Sequence, residues 1–259
     1  MNPMLKYPGS KWRIADWIIS FFPKHEVYLE PFFGSGAVFF NKKPSYIETI
    51  NDINNEIVNL FKVCRNNPEK LATLINLTPF SREEYERCYE KSNDDVEQAR
   101  RTLVRYHQSF GTSNSSRKSW KNVQTAGGPR TATMWNYLPD TVIQVCERLK
   151  DVQIENIDAL TLIERYNHKD TLIYLDPPYL QSLRKRHLYK YEFSDNQQKN
   201  MIELIKTSKS RIILSGYDNE LYNDCLQGWN TVEKETTAQF GFHRTEKLWI
   251  NFDVQLSLF

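Results

Sequence analysis

With 259 residues, 34 Lys and Arg against 32 Asp and Glu, the chain has room for one large domain, or a core domain with a sizeable insertion, and its net charge of +2 singles out no class of partner. Cys64, Cys88, Cys146 and Cys225 stand without paired spacing, which argues against a disulfide framework or a zinc site and for a reducing compartment. The apolar stretch from Trp17 to Phe22 is too short to span a bilayer, so a cytoplasmic protein without membrane attachment is expected.

In chain order, Ser10 to Phe22 has the apolar spacing of a helix, with Trp12, Ala15, Ile18, Ile19 and Phe22 on one side. Val27-Tyr28-Leu29 reads as a strand entering a glycine turn, and Tyr46 to Ile50 as a second strand ending at Asn51-Asp52. Asn54 to Cys64 is helical in period. Ser81-Arg82-Glu83-Glu84 has the form of a capping box opening a helix to Tyr89, and Asp95 to Phe110 a longer helix with a basic side. Residues 111–133 show no period and are rich in Ser, Thr, Gly and basic residues, a length of loop usually functional or disordered. Alternation then resumes: strand Val152 to Glu155, helix Ala159 to Tyr166, strand Thr171 to Leu175, helix Asn196 to Ser208, strand Arg211 to Ser215 and a late strand Glu246 to Phe252. The pattern predicts an α/β doubly wound sheet, residues 1–79 and 151–259, interrupted by a helical, basic insertion over residues 80–150.

Asp176-Pro177-Pro178-Tyr179 follows the apolar strand Thr171 to Leu175, at the carboxyl end where open α/β sheets bind ligands. Asp176 brings a carboxylate. Pro177 and Pro178 stiffen the turn and lack N–H donors, so their carbonyls act as rigid acceptors. Tyr179 brings an aromatic face. Together they suit a flat ligand with an exocyclic amino group, although a plain proline turn would use the same residues. Glu30-Pro31-Phe32-Phe33-Gly34-Ser35-Gly36-Ala37 forms a glycine turn that fits neither the phosphate-loop nor the dinucleotide spacing. Asp52, at the end of the second strand, is placed to hold the hydroxyls of a ribose. A glycine turn followed by this acid points to a nucleoside ligand. Basic groups cluster between Arg100 and Lys150 and again at Arg184, Lys185, Arg186, His187 and Lys190; each is either a solvated face or a site for a polyanion.

Lys6 to Lys11, Glu30 to Ala37, Asn51-Asp52-Ile53-Asn54 and Asp176 to Tyr179 occur in an order that resembles the Dam-type (α-group) adenine-specific DNA methyltransferases of bacteria and phages. The likeness takes in nearly the whole chain, including Asn156-Ile157-Asp158, Phe193, Ser215-Gly216-Tyr217 and Arg244 to Trp249. It implies a Rossmann-like methyltransferase fold with a target-recognition insertion, and S-adenosyl-L-methionine as cofactor. By position it implies Tyr7, Lys11, Glu30, Phe32, Gly34, Ser35, Gly36, Asp52, Asp158 and Asp176 at the cofactor, with Lys11 as a solvated helix residue and Asp158 as a helix cap the plainer alternatives. Asp176, Pro177 and Tyr179 become the catalytic residues. Tyr179 is expected to stack on a flipped adenine, which makes Tyr179→Phe a mild change. Double-stranded DNA becomes the partner of a monomer without metal, gripped at Arg117, Lys118, Lys121, Arg130, Arg184, Lys185 and Arg186. Trp120, in the same loop, reads either as a core anchor or as a DNA contact. Tyr106 to Asn114 does not match the insertion motif of the enzymes that read GATC, so that recognition sequence is not carried over. An RNA or protein-glutamine methyltransferase, a cytosine 4-amino methyltransferase and an inactive DNA-binding module are the alternatives; the intact Asp176, Asp52, Gly34 and Gly36 argue against the last.

Overall fold

A computed structural model describes residues 1–110, 120–122, 131–180, 191–237 and 243–254. Seven strands form one sheet in the order β3-β2-β1-β4-β5-β7-β6. β1 (Val27–Glu30) lies parallel between β2 (Ile47–Asn51) and β4 (Thr171–Leu175), with β3 (Gln153–Glu155) outside β2 and β5 (Arg211–Tyr217) outside β4. β6 (Asn230–Thr237) and β7 (His243–Ile250) pair antiparallel, and β7 also pairs antiparallel with β5. Strand order reverses between β1 and β4, so the chain leaves their carboxyl ends in opposite directions and opens a crevice there. Glu30 ends β1 and Asp176 follows β4, which sets both acids at that crevice. This is the expected doubly wound α/β fold.

The strands alternate between two cores. Tyr28, Leu172, Tyr174, Ile213, Leu248 and Ile250 face one; Leu29, Ile173, Leu175, Ile212, Leu214 and Trp249 face the other. The first core holds α1 (Ala15–Ile19), α2 (Ala37–Asn41), α3 (Asn55–Asn66), α4 (Pro68–Leu77), α6 (Asp95–Gln108) and α8 (Leu138–Leu149). The second is closed by α9 (Ala159–Arg165), α10 (Asp195–Lys206) and α11 (Glu220–Cys225). Between α4 and α8 run α5 (Arg82–Arg87), α6 and α7 (Thr131–Trp135). α6 and α8 pack on α3 and α4, and the buried Trp135 indole donates to the carbonyls of Ile75 and Thr78 at 3.2 and 3.0 Å. No helix among the described residues is long and apolar enough to cross a membrane.

Several elements differ from the sequence reading. The first helix is only α1, because Tyr7 to Lys11 forms turns that carry Lys11 inward; its ammonium is buried, so it is not a solvated helix residue. α2 escaped the reading because Ala37, Val38, Phe39 and Phe40 are all buried and show no polar face. β6 escaped because its sequence, Asn-Thr-Val-Glu-Lys-Glu-Thr-Thr, has the charged character of an edge strand. The basic side of α6 is largely occupied. Arg100 pairs with Glu84 and Glu97, Arg101 with Glu97, and Arg105 with Glu56, each within 2.7 Å. Arg148 of α8 reaches Glu48 of β2 at 2.5 Å, and Lys150 reaches Glu147 at 2.7 Å. Arg100 ties α6 to α5, Arg105 ties α6 to α3, and Arg148 ties α8 to the sheet, while the Arg101 and Lys150 pairs with Glu97 and Glu147 are local. As evidence for a polyanion these cations are withdrawn.

Candidate active site

The crevice opens into a cavity of about 430 Å³ beyond the carboxyl ends of β1, β2 and β4. Tyr7, Lys11, Glu30, Phe32, Gly34, Ser35, Asp52, Asp158 and Asp176 line it, as does Pro178; Gly36, Pro177 and Tyr179 do not. The glycine turn is built tightly. Gly34 has φ +50°, and a Cβ there would meet the Tyr7 ring at 3.1 Å. The Asp52 carboxylate accepts from the Gly34 amide at 2.9 Å and from the Asn54 amide at 2.8 Å, tying the turn after β1 to the turn after β2. Asn51 joins a third loop: its amide donates to the carbonyls of Pro31 and Ile157 and accepts from the Ile157 amide. Gly36 has φ +65°, and a Cβ there would strike the Phe33 and Phe40 rings. Ser35 and Ser10 hydroxyls bond at 2.8 Å. Phe32 meets Phe193 edge-on at 5.3 Å.

Asp158 caps α9, its carboxylate accepting from the Thr161 amide at 3.1 Å, and it is exposed at the cavity edge, so a cap and a cavity residue coincide. Ile53 also lines the cavity while half exposed, an apolar side chain among polar neighbours; that contrast was the available signal, and it went unread.

At the Asp-Pro-Pro-Tyr turn, the Lys11 ammonium donates to both Asp176 oxygens, at 2.8 and 2.9 Å, to the Gly9 carbonyl at 3.1 Å and to the Tyr179 hydroxyl at 2.5 Å. Tyr179 donates onward to Glu246 of β7 at 3.3 Å, and Ser215 of β5 donates to the same carboxylate at 2.7 Å. The Pro178 carbonyl accepts from Gln198 of α10 at 2.7 Å, and Gln198 accepts from the Tyr222 hydroxyl at 2.5 Å. The Tyr179 ring is buried, with the Tyr217 ring 4.4 Å away and Arg244 over Tyr217 at 5.0 Å. The sequence reading treated Tyr179 only as a stacking ring; its hydroxyl also sits between the ammonium and a second carboxylate, two contacts that Tyr179→Phe would remove. Gln198 was missed, and no role was read for Tyr217 or Glu246, although both lie in stretches that carry the resemblance. A contact between residues 11 and 176 leaves no local pattern to read.

Charge sets the character of the cavity. Among the described lining residues Lys11 is the only cation, and Glu30, Asp52, Asp158, Asp176 and Glu192 are acids. Burial pushes Glu30 up to about 8, only partly opposed by the hydrogen bond from Tyr28. Burial pushes Asp52 up to about 6 against the bonds from Asn54 and Gly34. Burial also pushes Asp176 up to about 6; Lys11 opposes this and Glu246 adds to it. Burial works against the Lys11 charge, yet Asp176 and Glu246 hold it well above the ordinary lysine range. Buried acids without enough cations call for a ligand that carries positive charge.

Of the residues expected at DNA, Lys121 is described: it is half-buried, its amide bonded to the Gln108 carbonyl at 2.7 Å. Arg117, Lys118, Arg130, Arg184, Lys185 and Arg186 lie outside the described residues. Trp120 rests 5.9 Å from Phe80, with Arg82 over its ring, the anchoring contact of a loop.

Comparison with known proteins places this arrangement. The family of D12 class N6 adenine-specific DNA methyltransferases matches residues 7–240. The chain is 28% identical over 245 residues to a DNA adenine methylase of Haemophilus influenzae, covering 88% of this chain and 83% of that one. It is 25% identical over 260 residues to the Type II methyltransferase M1.LlaDCHI of Lactococcus lactis subsp. cremoris, covering 93% and 90%. To the Type II methyltransferase M.MjaIII of Methanocaldococcus jannaschii it is 23% identical over 260 residues, covering 89% of each. The match takes in the glycine turn, the Asp-Pro-Pro-Tyr turn and the insertion between them, and the chain belongs to the family of D12 class N6 adenine-specific DNA methyltransferases.

Proposed function

We propose that the protein transfers a methyl group from S-adenosyl-L-methionine to the 6-amino group of an adenine flipped out of duplex DNA. The observation that carries the reading is the acidic cavity with Asp176 on its wall and the Asp-Pro-Pro-Tyr turn beside it. A cavity lined by Asp52, Asp158, Asp176 and Glu192, with Lys11 as the one cation among the described lining residues, disfavours phosphate, so the polyanion belongs outside it. A small ligand with a sulfonium and an ammonium group suits it, and so does a neutral base.

The cofactor fits the donor set. Glu30 and the turn from Phe32 to Ser35 would hold its methionine part, Asp52 its ribose hydroxyls, and Asp158 with Ile53 its adenine. Tyr7 backs the turn, and Gly36, lacking a Cβ, leaves room for the Phe33 and Phe40 rings. When bound, the cofactor supplies a methyl group already activated for direct displacement. The chain's work lies on the nucleophile, because the adenine amino lone pair is delocalised into the ring. Asp176 accepts from that amino group, and the Pro177 carbonyl is the second acceptor. Two acceptors favour a pyramidal nitrogen with its lone pair toward the methyl group, and the proton released on transfer has the Asp176 carboxylate beside it. This is positioning and electrostatic preorganisation. Lys11 fixes the Asp176 carboxylate, Gln198 fixes the turn, and Tyr179, outside the cavity lining and packed on Tyr217, would supply the aromatic face for a base that enters beside the turn.

A base inside a duplex cannot reach this depth, so it must leave the stack, at a cost of about a few kcal/mol. Residues 80–150 would serve as the target-recognition insertion, and phosphate contacts from Arg117, Lys118, Lys121 and Arg130, with Arg184, Lys185 and Arg186 beyond the Asp-Pro-Pro-Tyr turn, would offset that cost. The test is incubation with methyl-labelled cofactor and duplex DNA of varied sequence, followed by digestion to nucleosides. Label in 6-methyladenine is expected. Label only in methylcytosine, or transfer only to RNA, would overturn the reading.

A further inference from the structure

We infer that Glu246 is a positioning residue for the transfer: it shares the Lys11 ammonium with Asp176 and so keeps the Asp176 carboxylate a strong acceptor. This rests on the reading of Asp176 as acceptor for the target amino group. Lys11 is buried and bonds both Asp176 oxygens at 2.8 and 2.9 Å. An ammonium held that way by a lone carboxylate would neutralise it and weaken it toward any other donor. Here the same ammonium lies 3.5 Å from Glu246, and the Tyr179 hydroxyl, which accepts from Lys11, donates to Glu246. One cation is thus divided between two carboxylates, and the trio keeps a net negative charge on the side where the amino group must donate.

Glu246 is itself held for that purpose. It is buried on β7, opposite Tyr217 in the ladder with β5, and Ser215 donates to it at 2.7 Å. Ser215 and Tyr179 satisfy its oxygens without adding positive charge; Lys234 stands opposite it on β6 with its ammonium over the Trp17 ring, and Lys11 is the cation that reaches the carboxylate, at 3.5 Å. The titratable and charged groups around Asp176 are Lys11 from the N-terminal turn, Glu246 from β7, Glu30 from β1, Tyr174 on β4, Tyr222 on α11, and Tyr179 from its own turn. Of these Lys11 favours Asp176 ionisation, and Glu246 opposes it.

The sign of the effect follows. Transfer needs Asp176 ionised, so the rate falls on the acid side. Glu246→Gln keeps the shape and removes the charge, leaving Lys11 wholly to Asp176. The acid limb of the rate profile should then move to lower pH by about one unit. The plateau rate should fall by about tenfold, because the acceptor is weaker. KM for cofactor and for DNA should stay within about twofold, since neither touches Glu246. Ser215→Ala removes a donor from Glu246, leaves its charge less compensated and should move the limb upward.

The experiment is the pH profile of single-turnover methyl transfer to duplex DNA for wild type, Glu246→Gln, Glu246→Asp and Ser215→Ala. A downward shift for Gln, its reversal by Asp and an upward shift for Ala are expected; a structural lesion does not shift a limb in opposite directions. An acid limb that stays in place for Gln, or a Gln variant that loses rate and KM together, would overturn the inference. Should Glu246→Gln not fold, an unmoved limb in Ser215→Ala would do the same. A wild-type protein that transfers no methyl group to adenine would sink the parent reading instead, before any variant is compared.

Discussion

The Lys11 ammonium organises the site at the scale of single residues. It meets Asp176, Tyr179 and the edge of Glu246 in a buried pocket, so each of these side chains is fixed by the others. Asp176→Ala should lower the transfer rate on the order of 10²–10³-fold, as removal of a preorganised group does. Its fold should survive, because Lys11 keeps Glu246 as counter-ion; circular dichroism and the single-turnover rate together check this. Tyr179→Phe should cost about tenfold in rate, the worth of a hydrogen bond to a charged group. A Tyr179→Phe enzyme as fast as wild type would return Tyr179 to a purely stacking role. Asp176, Tyr179 and Asp52 were legible in the sequence because strand ends and turns leave local marks. The burial of Lys11 and the link to Glu246 were not, because both contacts span more than half the chain.

Among the elements, the turn after β1 is the most constrained. Gly36 takes φ +65°, and a Cβ there would lie 2.6 Å from the Phe40 ring and also strike Phe33. Gly36→Ala should therefore destabilise the protein by about 2–4 kcal/mol, from left-handed strain together with overpacking. Urea unfolding measures this, and a loss under about 0.5 kcal/mol, the size of a neutral surface change, would contradict the packing described. α6 yields a second expectation. Arg100, Arg101 and Arg105 are held by Glu84, Glu97 and Glu56, so neutralising Arg105 should leave the salt dependence of DNA binding unchanged. Neutralising Arg117, Lys118 and Lys121 should lower that slope by about one unit for each phosphate left without its cation. An equal effect from Arg105 would show that the helix, too, faces DNA. β4 was read to its ends because five buried residues, four of them apolar, precede a proline turn. β6 was not, because its burial comes from pairing with β7 and its sequence is that of a charged edge.

Among the described residues, acids gather in the cavity at the carboxyl end of the sheet, and Arg100, Arg101, Arg105 and Arg148 are tied by ion pairs within the fold. That division has a consequence for stability. Glu30 binds its proton up to about 8 when folded and near the ordinary carboxylate value when unfolded, so between pH 6.5 and 8 the folded chain holds the extra proton. Stability should fall as pH rises through that window, on the order of 1–2 kcal/mol in total. Thermal unfolding of the free protein at pH 6.5 and 8 tests this. Glu30→Gln should flatten the decline, and an undiminished decline in that variant would assign it elsewhere. A cationic ligand in the cavity should favour the ionised carboxyl, so binding of S-adenosyl-L-methionine near pH 7 should release protons. The doubly wound sheet was readable from alternating strands and helices. The packing of α6 and α8 on α3 and α4 was not, because amphipathic helices do not announce their partners.

Methylation of adenine in DNA through the Asp176 turn is tested by sequencing modified bases in DNA from cells expressing the wild-type chain, beside cells expressing Asp176→Ala. 6-Methyladenine is expected at one short recurring sequence in the first DNA and none at that sequence in the second. The same modification in both, or its absence from both with the wild-type protein folded and present, would contradict it.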